Sequence, residues 1–352
     1  MTENIVTGSG SGIFADIDAQ EAPVLNPEVG QVLGALRLTH QLGEGAMAAV
    51  FRAEEVDTGR QVAVKILKAE LCQNIDAMRR FDKEALVAQR VRHPNLIEIT
   101  DVHHIDGFPP VLVMELLEGE DLSSVVAQQG PMDPESAVAV ATQLCGALHA
   151  LHSQNIVHRD LKPENVFLIG ADRGFPIVKL LDFGLVKFLY GGDPFIHTRP
   201  GTTLGTPAFM APEQFSNPDI DSSVDVYAVG AVLYELLTGR PPFVADTYAE
   251  RVKLVTTRDP DPPSLHAPRK PDGSSVIPPA LDTVILGALA RDPLKRIGSA
   301  TELGELLNAS LEEGAEVHIP GVGGARGGSL LRWGIIAGVA VALVILAVLL
   351  LR

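Results

Sequence analysis

Apolar positions along the chain fall into short runs of strand length and one long helical stripe. Val62–Leu67 is apolar except for Lys65, and Val111–Leu117 is apolar except for Glu115. Ile177–Leu181 is a third run of this kind. Ser136–His152 instead repeats its apolar residues every three to four positions, which is typical of a helix with one buried face. These are Ala137, Val140, Ala141, Leu144, Leu148 and Leu151. The pattern predicts three strands and one long, partly buried helix.

Polar side chains that could carry out phosphoryl transfer follow two of these elements. The segment His158–Asn165 comes soon after the long helix, and Asp182 comes directly after the strand Ile177–Leu181. Phosphoryl transfer needs one carboxylate to accept the proton of an attacking hydroxyl, and another to hold the magnesium ion that gathers the ATP phosphates. We assign the first role to Asp160 and the second to Asp182. Asn165 is spaced to bind a second magnesium ion.

In their order along the chain, these motifs resemble the eukaryotic-type (Hanks-type) serine/threonine protein kinases. The resemblance covers about residues 36–308, and Leu161–Glu164 is similar to the serine/threonine version of the catalytic loop. It implies an α+β, bilobal fold: a small β-rich lobe with one key helix, a mainly helical large lobe, and ATP between them. It also implies ATP and Mg²⁺ (or Mn²⁺) as cofactors, protein serine or threonine hydroxyls as acceptors, and Lys162 as the cation that steadies the γ-phosphate.

The resemblance implies a phosphate-binding region in the first part of the chain. The glycine-rich loop comprises Leu42, Gly43, Glu44, Gly45 and Ala46, and the missing Cβ atoms of its glycines let backbone N–H groups approach phosphate oxygens. The third glycine of the family loop is replaced by Ala48, so we expect a looser grip on phosphate. Lys65 is expected to contact the α- and β-phosphates and to pair with Glu84.

The same resemblance places the adenine against apolar side chains. Val50 and Ala63 are expected to cover one face of the purine and Phe167 the other. Met114 is the predicted gatekeeper, at the end of the strand that runs into the hinge between the lobes. The backbones of Glu115 and Leu117 are expected to hydrogen-bond the adenine edge.

The residues between Gly184 and Ala211-Pro212-Glu213 match the activation segment of the family. Thr202 and Thr203 are the predicted phosphorylation sites, followed by Thr198, and Arg159 is expected to capture the phosphate. Thr206 matches a substrate-docking position. Two further matches are structural. Asp225 is expected to brace the catalytic loop, and Arg296 is expected to pair with Glu213.

Net charge and cysteine content argue against a nucleic-acid partner and against a cysteine metal site. The formal net charge of −16 disfavours a nucleic-acid partner. The two cysteines, Cys72 and Cys145, have no spacing that suits a metal site, so we expect reduced, packed thiols in a cytosolic domain.

The ends of the chain differ from the kinase region. Residues 1–33 contain acidic residues but neither Lys nor Arg, and we predict a disordered acidic tail, followed by the kinase domain at 34–308 and a glycine-rich linker at 309–332. Residues 333–351 are the predicted transmembrane helix. As a helix, Gly334–Leu351 is roughly 27 Å long, close to the hydrocarbon thickness of about 30 Å.

The flanks of this apolar stretch predict its orientation and a possible partner. Arg326 and Arg332 precede it and Trp333 lies at its start, so the positive-inside rule keeps the kinase cytoplasmic. We therefore expect a bacterial-like, tail-anchored kinase of the inner cell membrane, with the lipid bilayer as one partner. Gly334, Gly338 and Ala342 recur every four residues, a spacing that permits a homodimer through close helix packing.

Two other functions are compatible with parts of this pattern. A pseudokinase scaffold would bind nucleotide without turnover, although such proteins usually lose a residue equivalent to Lys65, Asp160 or Asp182. A small-molecule phosphotransferase shares the catalytic aspartates but usually lacks the docking segment from Thr206 to Glu213. Phosphate transfer to a generic basic protein distinguishes both from a protein kinase.

Overall fold

The computed structural model of this chain describes residues 26–75, 77–79, 81–82, 90–170, 176–182, 207–217 and 220–319. These residues form two compact units. The first contains the described residues up to Gln128 and those from Gly146 to Asp182. The second contains Gln129–Cys145 and the described residues from Pro207 onward. Every residue predicted to contact ATP or magnesium belongs to the first unit, apart from Glu84, which lies outside the described residues.

An antiparallel six-stranded sheet forms the first part of the chain, with the strand order β1-β2-β3-β4-β6-β5. Its strands are β1 (Val32–Leu33), β2 (Leu36–Glu44), β3 (Ala48–Glu55), β4 (Gln61–Leu67), β5 (Ile99–His103) and β6 (Val111–Met114). The predicted strand at 62–67 is therefore β4. The predicted run Val111–Leu117 leaves the sheet after Met114, and residues 115–118 form a hinge segment without regular structure.

The two faces of this sheet serve different purposes, because successive side chains of a strand point to opposite faces. One face is a hydrophobic core that includes Phe51, Val64 and Ile66, all at most 4% exposed. The opposite face carries Lys65, whose register partner on β3 is Val50. The alternation thus separates the residues that stabilise the sheet from those that can meet a ligand.

A second, three-stranded antiparallel sheet has the order β7-β8-β9 and also belongs to the first unit. Its strands are β7 (Gly119–Asp121), β8 (Val166–Ile169) and β9 (Ile177–Leu180). At Gly119 the backbones of β7 and β8 come so close that a Cβ atom would lie 2.0 Å from the carbonyl oxygen of Leu168. Only glycine fits this crossing without a shift of the backbone.

Helices connect and follow these strands. They are α1 (Leu122–Gln129), α2 (Pro134–His152), α3 (Ser223–Thr238), α4 (Tyr248–Thr257), α5 (Pro279–Ala288) and α6 (Ala300–Ala309). Short 3₁₀ helices occupy Ala69–Leu71, Pro163–Asn165, Pro212–Phe215, Pro263–Leu265 and Pro293–Lys295. The long helix predicted at 136–152 begins two residues earlier, at Pro134, because the Asp133 side chain accepts a hydrogen bond from the Ser136 N–H and caps its first turn.

The second unit is built around α3, which is buried along nearly its whole length. It ends at Thr238 and is followed by Gly239, whose φ of 73° is the left-handed conformation that commonly stops a helix. At Gly230, a Cβ atom would lie 2.9 Å from the Cβ of Ala288 on α5, so the glycine allows these two helices to pack closely.

The described residues include some outside the predicted domain limits of 34 and 308 that pack against the kinase region. Leu33, in the predicted tail, is 1% exposed and belongs to β1. Beyond α6, Ser310 and Ile319 are buried although the linker was predicted to begin at 309. The reason is packing, since Ile319 fills the space that the missing side chain of Gly287 leaves open.

None of the helices formed by the described residues is long and apolar enough to cross a membrane. The segment predicted to do so, residues 333–351, lies outside the described part of the chain, as do residues 1–25 of the predicted acidic tail.

Candidate active site

The loop that follows α2 holds the proposed base in a fixed backbone conformation. Arg159 has a φ of 66°, a left-handed conformation that is uncommon for a residue with a side chain, and it is buried. The Asp160 carboxylate that follows remains only partly buried. Lys162 lies with its Nζ 3.8 Å from Asp160 Oδ2. This places a cation close to the position where a transferred phosphoryl group would meet the base.

Asn165 ties this loop to the strand that precedes Asp182. Its Nδ2 donates to the Asp160 carbonyl at 2.9 Å, and its own carbonyl accepts from the Leu181 N–H at 2.8 Å. Because Leu181 precedes Asp182, these two bonds bring all three predicted chemical residues into one connected network. Asp182 itself has a φ of 45° and an exposed side chain. A strained backbone of this kind is common where a side chain must point into a site.

His158 strengthens the same connection, and sequence reasoning gave it no role. The ring is 1% exposed, its Nδ1 accepts from the Asp160 N–H at 3.3 Å, and its Nε2 lies 3.4 Å from the Leu181 carbonyl oxygen. A neutral imidazole that accepts at Nδ1 donates at Nε2. Its position two residues before Asp160 is the sequence feature that could have indicated this role.

Lys65 reaches the site from β4. Its Nζ lies 2.5 Å from Asp182 Oδ1, and its side chain is only 14% exposed. The partner predicted for Lys65, Glu84, lies outside the described residues, although the preceding described residues 77–79 and 81–82 are helical, as the resemblance implies. Lys65 thus joins the first sheet to the carboxylate proposed to bind magnesium.

Three of the residues predicted to enclose adenine, Val50, Ala63 and Met114, share one face of the first sheet, whereas Phe167 lies on β8 of the second sheet. Ala63 lies two residues before Lys65 on β4, and its register partner on β6 is Met114. Val50, Met114, Leu117 and Phe167 are all partly buried, whereas Ala63 is buried. This face offers an apolar surface next to the cation Lys65.

Hydrogen bonding within the hinge segment limits which backbone atoms of Glu115 can contact the adenine edge. The Glu115 N–H donates to the Glu98 carbonyl at 3.0 Å and is therefore engaged within the fold. Any contact of the Glu115 backbone with adenine therefore uses the carbonyl oxygen, and Leu117 is the residue predicted to supply an N–H donor.

The glycine-rich loop runs from the end of β2 into the turn before β3, since Leu42, Gly43 and Glu44 end the strand and Gly45 and Ala46 belong to the turn. Leu42, Gly43, Glu44, Gly45 and Ala46 are exposed, and the Gly45 N–H donates to the Ala48 carbonyl at 2.8 Å. Ala48, which replaces the third glycine, is 6% exposed on β3. A hydrogen bond from Lys68 lowers the pKa of the Glu44 carboxyl, whose oxygen lies 2.6 Å from Lys68 Nζ.

The donor set fits magnesium and a nucleotide. Magnesium prefers oxygen ligands and is usually held by one or two protein groups together with phosphate oxygens. The Asp182 carboxylate supplies such oxygens, and since the Asn165 amide nitrogen already donates to Asp160, its amide oxygen is the atom that can bind a cation. Lys65 and Lys162 add the positive charge that phosphates require.

In the second unit, Arg296 and Glu213 form a two-point ion pair. Arg296 Nη1 lies 2.6 Å from Glu213 Oε1, and Nη2 lies 3.1 Å from Oε2. The Arg296 side chain is fully buried, with its guanidinium 5.2 Å from the centre of the Tyr227 ring. Asp225 is also fully buried, in the first turn of α3. Its role toward the catalytic loop stays a prediction, and Thr198, Thr202, Thr203 and Thr206 lie outside the described residues.

Comparison with known proteins agrees with this geometry. The family model "Protein kinase domain" matches residues 36–307. The chain is 39% identical to the serine/threonine-protein kinase Pkn1 of Myxococcus xanthus over 301 residues, which is 84% of this chain but only 41% of Pkn1. It therefore spans well under half the length of this relative.

Two solved structures share the fold. The kinase domain of Mycobacterium tuberculosis PknI is 25% identical, with a TM-score of 0.61 over 81% of this chain and 100% of that chain. Rad53 in complex with AMP-PNP is 28% identical, with a TM-score of 0.62 over 77% of this chain and 64% of that chain. The predicted two-lobed kinase fold is confirmed. The chain belongs to the eukaryotic-type serine/threonine protein kinase family.

Proposed function

We propose that this protein transfers the γ-phosphate of ATP to serine and threonine hydroxyls of proteins. The observation that carries the proposal is the hydrogen-bonded network that joins Asp160, Asn165 and Asp182, with Lys65 held against Asp182. A pseudokinase scaffold would not need all four groups. The family relationship supports ATP as the nucleotide, and a related fold, Rad53, has been solved with an ATP analogue.

The residues divide the chemistry between them. Asp160 accepts the proton of the attacking hydroxyl, and Lys162, 3.8 Å away, offsets the negative charge on the phosphoryl group in transfer. Lys65 orients the α- and β-phosphates. Bound Mg²⁺, held by Asp182 and Asn165, would neutralise charge on the phosphate oxygens. Such catalysis consists of positioning and charge stabilisation, since the protein forms no covalent bond to the phosphoryl group.

We further propose that the protein regulates itself by phosphorylating its activation segment, at Thr202 or Thr203 before Thr198. The buried cation Arg159, adjacent to the base, supports this idea because a phosphothreonine paired with it would order the segment next to Asp160. The apolar stretch 333–351 supports a membrane anchor in the inner membrane, with the kinase domain in the cytoplasm. A homodimer through Gly334, Gly338 and Ala342 would favour phosphorylation in trans.

Mapping of phosphorylated residues tests the proposal. The full-length protein is incubated with Mg-ATP and a generic basic protein, beside Lys65→Met and Asp182→Asn variants, and phosphorylated residues are identified by mass spectrometry. Phosphate on the basic protein and on Thr202 or Thr203, absent with both variants, is the expected result. Nucleotide binding without any transfer would instead favour the scaffold. Transfer to a small molecule but not to protein would favour a small-molecule phosphotransferase.

The proposed dimer needs its own test. Reporter dimerisation of the segment 333–351 is compared with that of the same segment carrying Gly338→Ile. The bulky side chain would prevent close helix approach, so we expect a lower signal. Equal signals would remove the dimer from the proposal without affecting the kinase activity.

A further inference from the structure

One ion pair of the first unit has no role in the chemistry described above. Lys179, on β9, lies with its Nζ 2.6 Å from Glu115 Oε1 in the hinge segment. The side chains are 14% and 28% exposed, so both charges are largely removed from water. Charges in such positions are costly unless they are well paired. Glu115 is the hinge residue expected to contact adenine, and Lys179 lies three residues before Asp182.

The chain segment 95–98 runs beside this ion pair, between the backbone of β9 and the backbone of the hinge segment. It is hydrogen-bonded to β9 through Asn95 and Ile97. The Asn95 Nδ2 donates to the Val178 carbonyl at 2.8 Å, and the Leu180 N–H donates to the Asn95 carbonyl at 2.8 Å. The Ile97 N–H in turn donates to the Leu180 carbonyl at 3.1 Å. Three hydrogen bonds therefore hold segment 95–98 against β9.

The other side of the same segment is bonded to the hinge. The Glu98 N–H donates to Glu115 Oε1 at 2.8 Å, and the Glu115 N–H donates to the Glu98 carbonyl at 3.0 Å. Lys179 Nζ also donates to the Leu96 carbonyl at 3.3 Å. The Glu115 carboxylate is thus the point at which the hinge, segment 95–98 and β9 meet, and Lys179 supplies the charge that holds it.

We propose that Lys179 is a positioning residue that sets the distance between the adenine-binding hinge and the metal-binding Asp182 by holding Glu115. The inference rests on the proposed function, because it assumes that the site binds ATP. ATP must contact the hinge with its base and Asp182, through magnesium, with its phosphates. A site whose two ends are already held at the right separation pays less conformational entropy on binding.

This role makes a prediction that a purely stabilising ion pair does not. If the pair sets the separation of two half-sites, its loss weakens ligands that use both ends and spares ligands that use one. Adenosine uses only the hinge, whereas Mg-ATP uses the hinge and Asp182. The ratio of the two affinities therefore reports on positioning, independently of the stability of the fold.

The experiment measures dissociation constants of Mg-ATP and of adenosine for the full-length protein by titration calorimetry. The deciding variant is Lys179→Met/Glu115→Gln, since either change alone would leave a charge unpaired. The glutamine can still accept from the Glu98 N–H. Lys179→Arg, which keeps the cation, serves as the rescue variant. Arg60→Met/Glu55→Gln is the control, because it removes another ion pair of the same unit that lies on the hairpin between β3 and β4.

We expect the double variant to bind Mg-ATP about fivefold more weakly and adenosine within a factor of two of the original protein. The KM for ATP should rise by the same factor while kcat changes less, and Lys179→Arg and the control should stay near the original values. Equal weakening of both ligands, unchanged ATP affinity, or failure of the double variant to fold would overturn the positioning role. Failure of the proposed function would look different, since the unsubstituted protein would then transfer no phosphate to protein, whether or not it binds ATP.

Discussion

The Lys65 ammonium lies 2.5 Å from the Asp182 carboxylate, and so connects β4 directly to the end of β9. The two residues are 117 positions apart in the chain. Their contact brings the cation expected to orient phosphates to the anion expected to bind magnesium. Each neutralises the other, which makes it less costly to hold both charges in place before a nucleotide arrives.

Loss of either partner should abolish most of the activity while leaving the protein folded. We expect Lys65→Met and Asp182→Asn each to lower kcat by about 10²–10³, because a preorganised charge at the transferring phosphate is removed. Steady-state kinetics with a basic protein substrate measure this. Lys253→Met, an exposed lysine on α4, is the matched control and should keep full activity. More than a tenth of the original kcat in Lys65→Met would contradict the assignment.

The Glu213–Arg296 pair should contribute to stability rather than to chemistry. Glu213→Gln leaves the fully buried Arg296 guanidinium without a counter-ion, and we expect a loss of about 3–5 kcal/mol in the free energy of unfolding. Urea denaturation measures it, with Glu213→Gln/Arg296→Met completing a double-mutant cycle. Glu55→Gln, in an ion pair whose arginine is 55% exposed, should have a much smaller effect. Additive effects of the two single changes would show that the contact carries no coupling energy.

The two cysteines should differ in reactivity. Burial raises the pKa of the Cys145 thiol from 9.0 to about 12, and burial also raises the pKa of Cys72, which is only partly buried. The thiolate is the reactive form, so an alkylating reagent at pH 8 should modify Cys72 slowly and Cys145 only after unfolding. Counting labelled sites by mass spectrometry, with Cys72→Ser as the control, measures this. Rapid labelling of Cys145 in the folded protein would contradict its burial on α2.

The same shift predicts the direction of a pH effect on stability. Because the folded pKa of Cys145 lies above its unfolded value, the neutral thiol contributes stability that is fully present below pH 9 and is lost as the pH rises toward 12. Between pH 9 and 11, the free energy of unfolding should therefore fall more steeply in the original protein than in Cys145→Ala. Identical slopes would mean that Cys145 titrates in the same range in both states.

The apolar C-terminal segment should determine membrane association. We expect the full-length protein to sediment with lipid vesicles after a high-salt wash, because burial of the 333–351 segment does not depend on ionic strength. A chain that ends before Trp333 should stay in the supernatant and keep its kinase activity. If both proteins sediment equally, another surface is responsible and the proposed membrane anchor is wrong.

Local pattern was sufficient for the elements that carry the site. The strand predicted at 62–67 is β4, and the two-residue period of a strand puts Ala63 and Lys65 on one face, where their partners on β6 are Met114 and Leu112. The loop that carries Asp160, Lys162 and Asn165 comes soon after the predicted helix in the sequence. These features depend on residues a few positions apart, whose geometry is set by the period of a strand or a helix.

Other features depend on pairs that no local pattern reveals. Lys179 and Glu115 are separated by 64 positions, and the residues around each of them in the sequence do not show that the two side chains meet. The engagement of the Glu115 N–H by Glu98 likewise follows from how β5 joins β6, so the sequence could not show that this N–H is committed. The ordered segments at Leu33 and Ile319 were assigned to flexible ends because their flanks are rich in glycine and acidic residues.

By itself, the sequence determined the order of strands, helix and loop, and which of them carry the lysines, aspartates and asparagine of a kinase. These are properties of short stretches, because backbone periodicity and side-chain chemistry act locally. Only the tertiary structure decided which charges meet: Lys65 with Asp182, Lys179 with Glu115, and Arg296 with Glu213. Ion pairs between distant residues are set by sheet register and helix packing, which depend on the whole set of buried contacts at once.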